Sequence, residues 1–93
     1  MKIPKKIKIG GQEIDVIHNS RSNSGTDDFG TFDLETCKIR IRSDVPQSVQ
    51  ESTLIHEIIE ALNDMMELKL DHKQICTLEV GLYSTLKNNN LLK

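Results

Sequence analysis

The residues best suited to chemistry lie at positions 56 to 60, which read His-Glu-Ile-Ile-Glu. His56 and Glu60 are four residues apart, and in an α-helix two side chains at that spacing lie on one face. A pair of side chains at this spacing can hold a single metal ion. A histidine and two glutamates on a helix surface are also typical of a solvated face. The five residues alone therefore leave both interpretations open.

The five residues lie in a segment with helical periodicity. Its apolar residues recur at three- and four-residue spacing, at Ile55, Ile58, Ile59, Leu62, Met65 and Met66. This pattern predicts a helix to about Leu68, and Ser48 followed by Glu51 has the spacing of a capping box at its start. At 100° per residue, His56 and Glu60 project just beyond the edge of the apolar arc. We expect both side chains to lie beside the core.

A second helix is predicted from Asp71, which has Gln74 three residues on, to about Lys87. The apolar residues of its stripe are Ile75, Leu78, Leu82 and Leu86. Glu79 falls in the middle of that stripe, where a carboxylate is costly unless something satisfies it. A metal ion is one explanation. A basic partner from the sheet, or an uncovered position on the helix, is the alternative.

Hairpin geometry ranks the side chains of the second helix that could reach His56. If the helices run antiparallel about a turn near Leu70, Glu79 lies about 4.5 Å along the axis from the level of the motif and His72 about 15 Å. Glu79 is therefore the preferred third ligand. Tyr83 is nearly level with the motif, so its phenol is a candidate to stabilise an oxyanion, or it is simply packed.

The amino-terminal half of the chain has strand periodicity. Residues 6–9 and 13–18 alternate apolar and polar side chains around Gly10-Gly11, which predicts a hairpin. Residues 30–33 and 38–42 predict a second hairpin, with Ile39 and Ile41 facing inward, and residues 19–28 predict a mobile surface loop. The fold class is therefore α+β, a small antiparallel sheet of three to four strands in residues 1–45 followed by an antiparallel helical hairpin in residues 46–90. Residues 1–93 form one domain.

Composition excludes several classes of function. The net charge is −2, and the chain has only two Phe, one Tyr and no Trp, so we expect no nucleic-acid partner and interpret the lysines and arginines of the strands as a solvated sheet face. The two cysteines lack CxxC spacing, which favours a reducing compartment. No apolar stretch approaches eighteen residues and no leader pattern is seen, so we expect a cytoplasmic protein with no membrane partner.

Two segments, Thr53-Leu-Ile-His-Glu-Ile-Ile-Glu-Ala-Leu62 and Leu78-Glu-Val-Gly-Leu-Tyr83, resemble the small metallopeptidase-like proteins of phages and prophages, the minimal gluzincins. Their signature is HExxH followed by a glutamate, with eighteen residues between the second histidine and that glutamate. The resemblance implies a zinc ligand at His56, a general base and acid at Glu57 and a third ligand at Glu79. Glu60 stands where the family has its second histidine.

The change at position 60 affects the metal site that the resemblance implies. One histidine with two carboxylates is more oxygen-rich than the two-histidine, one-glutamate set of zinc peptidases, so we expect weaker zinc affinity and less acidic bound water. His72 is the leading substitute for the missing imidazole, and His18 is a weaker candidate.

Two functions follow as alternatives. In the first, the chain is a zinc metallopeptidase-like domain whose peptide or protein substrate pairs with a sheet edge, which we expect to be residues 38–42. In the second, it is a non-enzymatic phage accessory domain that keeps the fold and binds another protein. A chain of this length buries only about 60 to 65% of its unfolded surface, so either a bound metal or a homo-oligomer would add stability.

Overall fold

The computed structural model describes residues 2–19 and 29–92. Its elements in chain order are β1 (Lys6–Ile9), β2 (Gln12–Asn19), β3 (Gly30–Asp33), β4 (Lys38–Arg42), α1 (Gln47–Met66) and α2 (His72–Asn88). The predicted α+β class is confirmed, since a four-stranded sheet is followed by two helices. The mobile loop expected in residues 19–28 lies outside the described residues, except for Asn19, which ends β2.

Both predicted hairpins form. β1 and β2 pair antiparallel, with Ile7 opposite Ile14, and Gly10 and Gly11 make the turn between them with φ of 58° and 83°. Such positive φ values favour glycine because it has no Cβ to clash with the backbone. β3 and β4 also pair antiparallel, with Phe32 opposite Ile39.

The two hairpins join through a parallel pair, which makes the sheet mixed. β2 and β4 run in the same direction, with Val16 beside Ile39, and the strand order is β1-β2-β4-β3. The expectation of a wholly antiparallel sheet is therefore wrong for this pair. The expectation that residues 38–42 form an edge is also wrong, because β4 lies between β2 and β3. In the described part of the chain, the edge strands are β1 and β3.

α1 lies between the sheet and α2. Its sheet-facing side contributes Leu54 and Ala61 to a core with the strands, in which Ile14 and Ile39 are fully buried. Its other side forms a second cluster with α2, made of Ile55, Ile59 and Ile75. The small core of this chain is thus divided into two layers that share one helix.

The helix ends differ in how well the sequence predicted them. Asp71 and Gln74 form the predicted capping box at the start of α2. The box expected from Ser48 is wrong, because α1 begins at Gln47 after Pro46 and has no side-chain cap. α1 also ends at Met66, two residues before the expected end, because Glu67 takes a left-handed conformation with φ of 52°.

α2 is less covered than its apolar pattern predicted. Among the described elements it contacts only α1, so none of the strands in that part of the chain covers it. Of its predicted stripe, Ile75 is buried, whereas Leu78 and Leu82 are 43% and 44% exposed. The pattern identified the helix correctly but overestimated how much of the stripe is packed.

Close packing of β3 on α1 at Gly30 predicts a clear mutational effect. A Cβ on Gly30 would lie 2.6 Å from Cγ2 of Thr53 and 2.8 Å from the backbone oxygen of Arg40. We expect Gly30→Ala to lower the free energy of unfolding by about 1–3 kcal/mol through overpacking. The matched control is Gly81→Ala in α2, where nothing lies within 4 Å. That substitution should raise stability by about 0.5–1 kcal/mol. Urea denaturation of both variants measures the difference, and equal effects would contradict this packing.

The buried carboxylate of Glu51 forms hydrogen bonds between the two helices, outside the pocket. Glu51 is 1% exposed and accepts hydrogen bonds from the hydroxyl of Tyr83 at 2.8 Å and from Nζ of Lys87 at 3.0 Å. Burial by itself raises the pKa of Glu51, but these bonds and one from Gln47 outweigh it and lower the pKa to about 2. The folded protein therefore holds this carboxylate in its charged form.

The lowered pKa of Glu51 predicts how stability depends on pH. The unfolded chain takes up this proton near pH 4.5 and the folded chain only near pH 2, so the contribution of Glu51 is present above about pH 5 and is lost as the pH falls to 2. We expect Glu51→Gln to lower the free energy of unfolding by about 1–3 kcal/mol at pH 7. That deficit should shrink below pH 4.5. Urea denaturation between pH 7 and pH 2 measures it, with Asp64→Asn on the exposed side of α1 as the control for charge loss. A deficit independent of pH would contradict the assignment.

Candidate metal centre

Side chains from α1 and α2 converge at the seam between the two helices. α1 contributes His56 and Glu60, and α2 contributes His72, Cys76 and Glu79, which are spaced four and three residues apart and so share one face. In two sets, ligand atoms all lie within 4.8 Å of one another. The first set is His56, Glu60 and His72, and the second is His56, Cys76 and Glu79.

His56 and Glu79 are in direct contact across the seam. Nδ1 of His56 lies 2.7 Å from Oε1 of Glu79, and the hydroxyl of Ser52 donates to the other carboxylate oxygen, Oε2. The Glu79 side chain is 21% exposed. The carboxylate that the sequence placed in an apolar stripe is thus satisfied from α1, as its level along the hairpin predicted.

Glu60 lies on the opposite side of the His56 ring. Its Oε1 is 3.7 Å from Nε2 of His56, which is too long for a hydrogen bond. The imidazole therefore has a carboxylate near each of its nitrogens, and the two carboxylates come from different helices.

His72 is much closer to His56 than the hairpin estimate predicted. The ring centroids are 5.8 Å apart and the rings meet edge to face. The predicted offset of about 15 Å is wrong because it counted only rise along two parallel axes and left out the length of the imidazole side chains. The turn also differs, since the contacts of His56 with Glu79 and of Glu51 with Tyr83 centre near residue 67.

Cys76 is the member of the cluster that sequence reasoning missed. Its Sγ lies 3.4 Å from Nε2 of His72, and it belongs to the set with His56 and Glu79. The signal was present, because Cys76 is four residues after His72 and three before Glu79. It was overlooked because the cysteines were considered only as a CxxC pair or as a disulfide.

These five residues and Glu57 line an open pocket of about 480 Å³. Glu57 is buried, with 5% of its surface exposed, and β3 passes over it closely at Gly30. β3 and the residue before it also line the pocket, through Phe29, Gly30, Thr31 and Phe32. The edge strand of the sheet therefore runs beside the ligand cluster.

Tyr83 and His18 are not part of the cluster. The hydroxyl of Tyr83 donates to Glu51, and burial together with that bond raises the pKa of Tyr83. This hydrogen bond favours the packed interpretation of Tyr83, and its catalytic role stays a prediction. His18 lies on β2, where its Nε2 contacts the amide oxygen of Gln50 at 2.6 Å.

The donor atoms in the cluster are chemically suited to zinc. Imidazole nitrogen, thiolate sulfur and carboxylate oxygen are its usual protein ligands. The three donor types are available from partly buried or exposed side chains at the rim of a pocket. The residues present therefore fit a divalent transition metal better than calcium or magnesium, which prefer oxygen alone.

Comparisons with protein-family models, with curated proteins and with solved structures found no match to this chain. A search of the helices for membrane-spanning segments found none of sufficient length and apolarity among residues 2–19 and 29–92.

Proposed function

We propose that this chain is a zinc-binding, metallopeptidase-like domain of the type encoded by phages and prophages, acting in the cytoplasm. The observation that supports it is the convergence of imidazole, thiol and carboxylate groups from α1 and α2 within 4.8 Å in each set. The two helices must be in register for these groups to meet, since each set includes residues of both. His56 is common to both sets and is central to the site.

The hydrolytic role rests on the position of Glu57 beside that cluster. Zinc, when bound, supplies Lewis acidity at a carbonyl oxygen and at water. In the proposed reaction, Glu57 accepts a proton from the water that attacks the peptide carbonyl carbon. The carbon–nitrogen bond then breaks, and Glu57 delivers the proton to the amine that leaves. Burial of Glu57 in the pocket wall holds its carboxylate beside the substrate.

The proposed substrate is an extended segment of peptide or protein. β3 is an edge strand in the described part of the chain and lines the same pocket as the ligands. An extended peptide can add to such an edge through main-chain hydrogen bonds, which would bring a peptide bond over the cluster. β3 thus takes the role that the sequence analysis assigned to residues 38–42.

A second candidate is a non-enzymatic domain that binds another protein. The observation in its favour is on α2, where Leu78 and Leu82, four residues apart on one face, are 43% and 44% exposed. Neighbouring exposed apolar side chains of this kind are typical of interaction surfaces. In this case zinc would stabilise the helical hairpin without any hydrolysis.

Zinc binding should be measurable directly. Protein purified without chelators should carry one zinc per chain, and removal of zinc should lower the melting temperature. At a zinc concentration about 100 times the dissociation constant, binding contributes about 2.7 kcal/mol. For a domain of this size, that corresponds to roughly 10–20 °C. His56→Ala should abolish both effects, whereas His18→Ala should retain zinc. A wild-type protein that binds no zinc and melts unchanged after chelation would refute the proposal.

Glu57→Gln separates the two candidate functions. If Glu57 is the general base, the variant should bind zinc normally while its turnover of a casein or unstructured peptide mixture falls by about 100-fold or more. Proteolysis followed by mass spectrometry, with each sample at the same zinc occupancy, measures the loss. Equal turnover by the variant and the wild type, or none by either, would favour the non-enzymatic domain.

A further inference from the structure

We propose that the ion is held by Nε2 of His56, by Glu60 and by His72, and that Glu79 is a positioning residue that orients His56 without ligating the ion. This inference rests on the proposed zinc site and specifies its ligands. It departs from the assignment that the sequence resemblance implies, in which Glu79 is the third ligand. His72 instead supplies the imidazole that is missing at position 60.

The distances around His56 distinguish a ligand from an orienting group. Two ligands of one tetrahedral zinc, each about 2.1 Å from it, lie about 3.4 Å apart. Oε1 of Glu60 is 3.7 Å from Nε2 of His56, close to that separation and too far for a hydrogen bond. Oε1 of Glu79 is 2.7 Å from Nδ1, which is a direct hydrogen bond and leaves no room for a shared ion.

The arrangement of the two histidines agrees with this assignment. When two imidazoles bind the same tetrahedral zinc through nitrogen, their ring centroids lie about 5 Å apart. The centroids of His56 and His72 are 5.8 Å apart, and ligand atoms of both rings lie within 4.8 Å of Glu60. A small side-chain rotation would bring all three donors onto one ion.

The hydrogen bonds of Glu79 determine which nitrogen of His56 can bind a metal. With a carboxylate as the acceptor at Nδ1, the neutral ring of His56 carries its hydrogen there and keeps the lone pair of Nε2 for a metal. The other oxygen of Glu79 accepts from Ser52. Histidine ligands of zinc commonly donate their second N–H to a carboxylate, which fixes the ring and makes the bound nitrogen more basic.

This assignment restores the donor set of catalytic zinc sites. Two imidazoles and one carboxylate are the ligands of several zinc peptidases, and they leave a fourth position open. All three proposed ligands line the pocket that also contains Glu57. The change of the second motif histidine to Glu60 is therefore compensated by a histidine at the start of α2.

Cys76 defines the competing assignment. It forms a second set with His56 and Glu79, in which sulfur would bind the ion and Glu79 would be a ligand. If the ion of that set binds at Nδ1 of His56, it must break the hydrogen bond with Glu79. In our assignment, Cys76 is not a ligand and only contacts Nε2 of His72.

Zinc titration calorimetry of matched variants tests the assignment. We expect His72→Ala to lower zinc affinity by more than about 100-fold and Glu79→Gln by about 10- to 100-fold, the range for an orienting partner. Cys76→Ser should bind like the wild type within a few fold, and His18→Ala is the control for histidine loss. Circular dichroism of each variant checks that it is folded.

Cobalt substitution provides a readout of ligation that a change in stability would not affect. The wild-type protein should show no thiolate-to-cobalt charge-transfer absorption. Glu79→Gln should keep the visible cobalt spectrum of the wild type once saturated, whereas His72→Ala should change it. A thiolate band, or loss of binding in Glu79→Gln with unchanged affinity in His72→Ala, would overturn the inference but leave the zinc site intact. Absence of zinc binding by the wild type would overturn both proposals.

Discussion

The burial of α1 on two sides is the constraint on which the rest of the structure depends. One side of this helix closes the core of the sheet, and the other packs Ile55 and Ile59 against Ile75 of α2. A chain of this length has too few apolar residues to build two independent cores, so both layers must share one helix. Polar residues in the middle of α1 then lie at the boundary between the layers, where His56 and Glu60 meet α2.

Polar contacts determine the register of α2 on α1, since the apolar contact between the helices is limited to a few residues. Glu51 binds Tyr83 and Lys87 near one end of the hairpin, and His56 binds Glu79 near its middle. A shift of α2 by one turn would break both contacts and leave a nearly buried carboxylate at Glu51 without these donors, which is costly. The bonds that hold the helices together therefore also bring the metal-ligating side chains into one place.

Local sequence signals predicted the elements well and their assembly less well. Alternation predicted both hairpins, and the box at Asp71 predicted the start of α2, because these depend on neighbouring residues. The parallel pairing of β2 with β4 was not predicted, since it joins two hairpins across residues that carry no pairing signal. As a result, the strand next to the pocket was misidentified.

The candidate site was predicted only in part, because periodicity describes a single helix and not the contacts between two helices. The spacing of His56 and Glu60 and the cost of a carboxylate at Glu79 are properties of single helices, and both could be recognised from periodicity. The proximity of His72 and Cys76 depends on the turn and on side-chain reach, which periodicity does not give. The nitrogen of His56 that is available to a metal is determined by one hydrogen bond between the two helices. It could therefore be assigned only from the folded structure.

Zinc K-edge X-ray absorption of the zinc-loaded protein tests the central claim most directly, because it counts the ligand types around the ion itself. Our account predicts two imidazole rings with the remaining ligands oxygen, at about 2.0–2.1 Å, and no sulfur. A sulfur shell at about 2.3 Å, or a single imidazole, would contradict the account.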